Sequence, residues 1–95
     1  MELKLKGKVA IVTGGSRGIG EVIVKTFAQE GANVVIADIM LEPAEQLAVT
    51  CRGMGVQALA VKTDVTKLED AQKLAKAALD KFGRIDILVN NAAVF

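Results

Sequence analysis

The sequence contains no histidine, no tyrosine and no tryptophan, and Ser16 is its only serine. These side chains supply most of the general acids, bases and nucleophiles that enzymes use. Without them, the 95 residues offer almost no group that could exchange a proton with a substrate or attack it. We therefore predict neither a catalytic residue nor a metal site in this chain.

Cysteine and excess charge are also scarce. Cys51 is the only cysteine, which excludes an intrachain disulfide and is typical of a reducing compartment. The net charge is +1 and the lysines are scattered, which argues against nucleic acid or an anionic membrane as the main partner. No apolar run is long enough to span a bilayer or to act as a signal peptide, so we expect a cytoplasmic location.

Four short apolar runs alternate with three helical patterns. The runs are rich in β-branched residues and three of them show little alternation, which is typical of strands covered on both faces of a parallel sheet. The predicted strands are Val9–Val12, Val34–Ala37, Val56–Val61 and Ile85–Val89.

Local signals mark the ends of the three helices. The first is expected to begin near Arg17–Gly18 and the second at Pro43, whose fixed φ suits a first helical position. Thr66–Glu69 has the pattern of a capping box and predicts the start of the third. The helices are predicted to end at the glycines that follow them, Gly31, Gly53 and Gly83.

Each helix is expected to bury one apolar face. On the first, the predicted face is Ile19, Val22, Ile23, Thr26 and Phe27. On the second, it is Ala44, Leu47, Ala48 and Cys51. On the third, it is Ala71, Leu74, Ala75, Ala78 and Phe82.

The element order is βαβαβαβ, which predicts an α/β fold that is half of a doubly wound Rossmann-type fold. Right-handed crossovers give a parallel sheet with the expected strand order 3-2-1-4, in one domain over residues 1–95. A ligand should lie at the carboxyl ends of the first and fourth strands, beside Thr13–Gly20 and Asn90–Ala93.

A glycine-rich segment, Thr13–Gly20, directly follows the first strand and opens the first helix. Glycines there allow a sharp turn and a close backbone approach to a pyrophosphate, and the helix N-terminus attracts phosphate groups. An ordinary glycine-rich turn is the alternative. The βαβαβαβ context favours a dinucleotide-binding loop.

Asp38 closes the second strand, eighteen residues after Gly20. A carboxylate there can accept hydrogen bonds from the adenosine ribose and would repel a 2′-phosphate. Arg17 points the other way, because a guanidinium can pair with a 2′-phosphate. Asp38 is expected nearer the ribose, so we predict NAD as cofactor, with NADP as the less favoured alternative.

Polar residues also follow the third and fourth strands. Asp64 could accept a hydrogen bond from the adenine amino group while Val65 packs on the ring, although Asp64 could equally belong to the approach to the helix. Asn90 could contact a ligand or tie neighbouring strand ends together, and the small side chain of Ala92 leaves space for a ligand.

Together these motifs resemble the short-chain dehydrogenase/reductase family of the classical type, over essentially the whole chain. The segments most similar to it are Gly7–Gly14 and Gly83–Ala92. The resemblance implies that Gly14, Gly18 and Gly20 form the cofactor loop. It also implies that Ser16, Arg17 and Ile19 line the phosphates and the nicotinamide-side ribose. Asp38 would hold the adenosine ribose, Asp64 and Val65 the adenine, Asn90 the central strands, and Ala92 would lie against the cofactor.

The resemblance covers only the cofactor-binding, N-terminal half of the family. Its members transfer hydride between a nicotinamide cofactor and an alcohol or carbonyl, using a serine, a tyrosine, a lysine and an asparagine beyond the region matched here. The family's fourth-strand motif ends in glycine, where this sequence has Ala93. We expect the chain to be inactive alone.

Two other functions stay open. The half-fold could serve assembly, forming a homodimer through the apolar edge of the fourth strand, Ile85–Val89. It could also bind another adenine nucleotide, such as AMP or FAD. ATP hydrolysis is disfavoured, because no Gly-Lys-Ser/Thr phosphate loop is present.

Overall fold

The computed structural model describes residues 4–92. Strands and helices alternate along these residues, as the sequence predicts. The elements are β1 (Val9–Thr13), α1 (Gly18–Gln29), β2 (Asn33–Asp38), α2 (Leu41–Arg52), β3 (Ala58–Lys62), α3 (Leu68–Phe82) and β4 (Ile87–Asn90).

The four strands form one parallel sheet with the order β3-β2-β1-β4, which confirms the predicted topology. Thr13, the last residue of β1, is in register with Ala37 of β2 and Asn90 of β4. Asp38 is in register with Lys62 at the end of β3. All four strands therefore end at the same edge of the sheet.

Apolar layers cover both faces of the central strands. On one face, Val12 and Ile36 pack with α1 and α2. On the other face, Ile11 and Val35 pack with α3. Alternate residues of one strand thus enter opposite layers. All five residues of β1 and five of the six residues of β2 are buried, which confirms strands covered on both faces.

The predicted face of α2 is correct, but that of α1 is wrong. Ala44, Leu47, Ala48 and Cys51 are all buried. In α1 the buried residues are instead Gly20, Val24 and Ala28, while Ile19 and Val22 are 73% and 64% exposed. Small residues at both ends of the buried stripe let the helix lie close to the sheet. Ile23 and Phe27 pack only at its margin.

Two predicted helix starts are wrong. α2 begins at Leu41, so that Pro43 is its third residue, still within the turn whose N–H groups have no partner inside the helix. Lys67, not Thr66, precedes α3, and no side chain caps this helix. The Thr66 oxygen, which in a capping box would accept from a backbone N–H, makes no such bond here; its hydroxyl donates to the Asp64 carboxylate, 2.6 Å away.

The predicted glycine closures are confirmed. Gly31 and Gly83 follow α1 and α3 with φ of 91° and 74°, in the left-handed region that favours glycine. Gly53 ends α2.

Within α3, Leu74 and Ala78 are buried as predicted, but Ala71 is exposed because it lies at an open apolar groove beside β4. Among the helices of residues 4–92, none combines the length and apolar character needed to cross a membrane.

Candidate cofactor site

A cleft of about 550 Å³ lies at the carboxyl edge of the sheet. This is the size of a typical small-molecule site. Segments that follow all four strands contribute to its walls. The lining residues are Gly14, Arg17, Asp38, Ile39, Thr63, Asp64, Val65, Thr66, Asn91 and Ala92.

The cleft brings together six of the eleven residues predicted from the sequence. These are Gly14, Arg17, Asp38, Asp64, Val65 and Ala92. The other five, which do not line it, are Ser16, Gly18, Ile19, Gly20 and Asn90. Their predicted ligand contacts stay predictions.

Sequence reasoning assigned no ligand contact to four lining residues, Ile39, Thr63, Thr66 and Asn91, although Asn91 lies in the segment expected beside the ligand. Each adjoins a residue that was singled out: Ile39 follows Asp38, and Asn91 follows Asn90. The signal that could have found them is the strand end itself, since the first residues after each parallel strand face the crevice.

The turn between β1 and α1 depends on two glycines. Gly14 has a φ of +64°, and its N–H donates to the Ala37 carbonyl oxygen at 2.7 Å. At Gly20, an added Cβ would overlap the Gly14 carbonyl oxygen and approach the Asn91 side-chain nitrogen to 2.8 Å. The absence of a side chain at Gly20 thus lets the start of α1 lie directly against the turn. Arg17, the residue that precedes this helix, lines the cleft, and a helix N-terminus favours anionic groups.

Hydrogen bonds around Thr13 join the end of β4 to the end of β1. The Thr13 Oγ1 accepts from the N–H groups of Asn91 and Ala92, at 3.0 and 3.3 Å. It also donates to the Val89 carbonyl oxygen at 3.3 Å. The Asn91 Nδ2 donates to the Gly14 carbonyl oxygen at 3.1 Å. The asparagine that bonds to backbone across the cleft is therefore Asn91, whereas Asn90 lines the groove beside α3.

Asp38 is 8% exposed, and its carboxylate accepts three hydrogen bonds. Its Oδ2 accepts from the N–H and the hydroxyl of Ser16, at 3.1 and 2.5 Å. Its Oδ1 accepts from the Met40 N–H at 3.0 Å. Burial alone would raise the pKa of Asp38, but these bonds and the charge of Arg17 outweigh it and hold the pKa below its ordinary value. The group is ionised at neutral pH.

Asp64 is the second carboxylate of the cleft. Its Oδ1 accepts from the hydroxyl and the N–H of Thr66, at 2.6 and 2.9 Å, and these bonds lower the pKa of Asp64. The Asp64 N–H in turn donates to Asp70 at 2.8 Å. The cleft therefore holds two ionised carboxylates and the Arg17 guanidinium. Within residues 4–92 no group of acidic, cysteine or histidine side chains is arranged to hold a metal ion.

Comparison with known proteins agrees with this architecture. The sequence pattern of the short chain dehydrogenases matches residues 8–95. The chain belongs to the short-chain dehydrogenase family. A galactitol 2-dehydrogenase of Agrobacterium fabrum is 48% identical over 93 residues, which are 98% of this chain and 35% of that protein. The chain spans about a third of the length of the curated relatives it matches.

Two solved structures of relatives have the same fold and contain NADH. One is a 7α-hydroxysteroid dehydrogenase complexed with NADH and 7-oxo glycochenodeoxycholic acid. It superimposes with a TM-score of 0.92 at 43% identity, over 98% of this chain and 36% of that one. A 3-ketoacyl-(acyl-carrier-protein) reductase from Brucella melitensis, complexed with NADH, gives a TM-score of 0.88 at 46% identity, over 96% of this chain and 36% of that one.

Proposed function

We propose that these 95 residues are the NAD-binding region of a dehydrogenase that transfers hydride between a nicotinamide cofactor and an alcohol or carbonyl. The observation that carries the proposal is the ionised, buried Asp38 carboxylate at the wall of the cleft. A carboxylate held in this way can accept hydrogen bonds from ribose hydroxyls. Both solved structures described above contain NADH, which supports the same cofactor class here.

The charge pattern favours NAD over NADP. Asp38 would repel a 2′-phosphate, whereas Arg17 at the same cleft would attract it. Asp38 is fixed by three hydrogen bonds, whereas Arg17 is exposed and its long side chain must lose rotamer entropy to hold a phosphate. The repulsion should therefore outweigh the attraction.

The remaining predicted residues take roles along the same cofactor. Gly14, Gly18 and Gly20 would leave space for the pyrophosphate. Ser16, Arg17 and Ile19 would lie beside the pyrophosphate and the nicotinamide-side ribose. Asp64 and Val65 would contact the adenine. Ala92 would lie against the cofactor, and Asn90 would support the central strands. Nicotinamide supplies the hydride chemistry when bound, and these residues bind and orient it.

We expect no turnover from the 95 residues alone, because they contain no tyrosine or histidine to exchange a proton with the substrate oxygen. Incubation with NAD and a panel of secondary alcohols should give no NADH above the blank. Steady NADH production would contradict this part of the proposal.

Calorimetric titration with NAD and NADP tests the cofactor assignment. NAD should bind at least about tenfold more tightly than NADP, because the Asp38 charge opposes a 2′-phosphate. Asp38→Asn should remove most of this preference. Asp80→Asn is the matched control, since Asp80 is an exposed carboxylate of α3 paired with Lys76. An NADP preference in the unaltered chain, or no saturable binding to the folded chain, would contradict the proposal.

A second candidate function is self-assembly through β4. Among the described strands β4 pairs only with β1, and Leu88 is 57% exposed. An uncovered apolar strand edge can pair with a second copy. Light scattering behind a sizing column should then give the mass of a dimer, and a monomer at high concentration would contradict this assignment.

A further inference from the structure

Asp86 directly precedes β4, at the end of that strand opposite the cleft, and bonds to both backbone groups of Val9 in β1. Its Oδ2 accepts from the Val9 N–H at 2.8 Å, and its own N–H donates to the Val9 carbonyl oxygen at 2.9 Å. The Nε and Nη2 of Arg84 donate to the two oxygens of the same carboxylate, each at 2.8 Å. The Asp86 side chain thus joins the beginnings of two neighbouring strands.

The residue types of β4 do not distinguish its register on β1 from one that is shifted by one residue. Three consecutive apolar residues, 87–89, are followed by Asn90 and Asn91. If β4 moved one residue towards the cleft, apolar side chains would replace apolar ones, and Asn90 would take the place of Asn91 beside the Gly14 carbonyl oxygen. The bonds to Thr13 come from backbone N–H groups, which both registers supply. Another interaction must therefore select the observed register.

Asp86 does distinguish the two registers. In the shifted one, Ile85 would lie opposite Val9 and would offer its N–H group no side-chain acceptor. The charged Asp86 would move to the half-buried position that Ile87 now holds. Burial of a carboxylate without a partner is unfavourable, so both effects oppose the shift. Arg84 adds to them, because its two bonds hold the carboxylate where the Val9 N–H can reach it.

We propose that Asp86 is a positioning residue that fixes the register of β4 and thereby places Asn91, not Asn90, across the cleft. In the shifted register Asn91 would take the place of Ala92, which lines the cleft, and its larger side chain would occupy space that a nucleotide needs. The register itself requires no ligand. Its consequence for nucleotide binding rests on the proposed function.

The test is NMR spectroscopy of the whole isotope-labelled chain, which reports the register through contacts between backbone protons of β1 and β4. In the unaltered chain Ile11 pairs with Leu88. In the shifted register it would pair with Ile87, and exchange-sensitive experiments detect such a state even when it is minor. Asp86→Ala should raise the ratio of shifted to observed register at least about tenfold, the effect of losing a hydrogen bond to a charged group. An unchanged ratio in the folded variant would overturn the proposal.

Moving the carboxylate tests the proposal in the opposite direction, also where Asp86→Ala fails to fold. The double variant Ile85→Asp with Asp86→Ile keeps the composition of the chain but places the carboxylate one residue earlier. The shifted register should then become the major one, with Ile11 paired with Ile87. If the double variant keeps the pairing of Ile11 with Leu88, Asp86 does not select the register.

Asp80→Ala is the matched control. Asp80 is also a carboxylate paired with a basic side chain, Lys76, but it lies on the exposed side of α3 and bonds to no strand. Its loss should leave the ratio of the two registers as it is in the unaltered chain. A rise as large as that in Asp86→Ala would show a general loosening of the fold and would overturn the assignment to Asp86.

Addition of AMP links the register to the site. A ligand that binds one of two states shifts the population towards it, so saturating AMP should return Asp86→Ala to the observed register. If the register depends on Asp86 but does not respond to bound AMP, the effect of Asp86 on the cleft is overturned. If the folded, unaltered chain binds neither AMP, NAD nor NADP, the proposed function fails, whereas the NMR comparison still decides whether Asp86 fixes the register.

Discussion

β2 and β4 flank the same central strand, yet their environments differ. Five of the six residues of β2 are buried, whereas residues of β4 alternate between half-buried and exposed. Helices on both faces cover β2. On the α3 side, β4 instead borders an open apolar groove of about 240 Å³.

The two walls of the cleft are consequently held by different forces. The wall that carries Asp38 follows β2 and rests on the buried apolar layers. The wall that carries Asn91 and Ala92 follows β4 and is joined to the rest mainly by hydrogen bonds to Thr13 and Gly14. Substitutions that remove buried volume should therefore destabilise the first wall. Substitutions that remove hydrogen bonds, or that push closely packed backbone segments apart, should destabilise the second.

The largest effect should come from the core beneath the first wall. Ile36 is fully buried among residues of α1 and α2, so Ile36→Ala should lower the free energy of unfolding by about 2–5 kcal/mol. Ile39→Ala, three residues further and 58% exposed, should cost less than about 1 kcal/mol. Urea denaturation measures both, and equal losses would remove the contrast between buried and exposed positions on which the comparison depends.

Gly20→Ala should have the next largest effect, because it acts where the two walls meet. The new Cβ would overlap the Gly14 carbonyl oxygen, a backbone atom that cannot rotate away. We expect a loss of about 3 kcal/mol, with nucleotide binding weakened as well. Gly53→Ala is the control, with a φ of −64° and the nearest atom 3.2 Å from the added Cβ. Denaturation of the two variants tests this, and a Gly20 variant as stable as the control would show that the close approach is dispensable.

The two carboxylates of the cleft could be predicted from the sequence, whereas the asparagine of the second wall could not. Asp38 and Asp64 follow continuous apolar runs, and the end of a parallel strand is where a ligand lies. Asn90 and Asn91 are the same residue type in adjacent positions, and successive residues of a strand point to opposite faces. Which of them enters the cleft depends on where β4 ends, and the sequence pattern does not fix that boundary.

Two other errors come from competition between local interactions. Thr66 matches a capping pattern, but its hydroxyl and N–H bond to the Asp64 carboxylate two residues earlier, and the helix starts one residue later than the pattern predicts, after Lys67. In α1, apolar residues occur on more than one side of the helix, so periodicity does not single out a face. The small Gly20 and Ala28 determine it, because they allow the closest approach to the sheet.

Acid should destabilise the first wall through Asp38. The folded-state pKa of this group lies below its unfolded value of about 3.9, so its ionised form stabilises the fold above that pH. This contribution is lost as the pH falls through the folded-state pKa. As the pH falls below about 5, the unfolding free energy should therefore decrease more steeply in the unaltered chain than in Asp38→Asn. Parallel curves would show that Asp38 does not contribute in this way.

The smallest effect should come from the open groove beside β4, which Leu88 lines. Leu88 is 57% exposed, so Leu88→Ala should change the unfolding free energy of a monomer by no more than about 0.5 kcal/mol. Denaturation should be measured at two protein concentrations. If a second copy covers Leu88, the substitution removes contacts between the copies, so its effect appears only at the concentration at which the copies associate. A loss that grows with concentration would show that Leu88 is buried in solution. In that case β4 would be a covered strand like β2, and its exposure would be a property of the isolated chain alone.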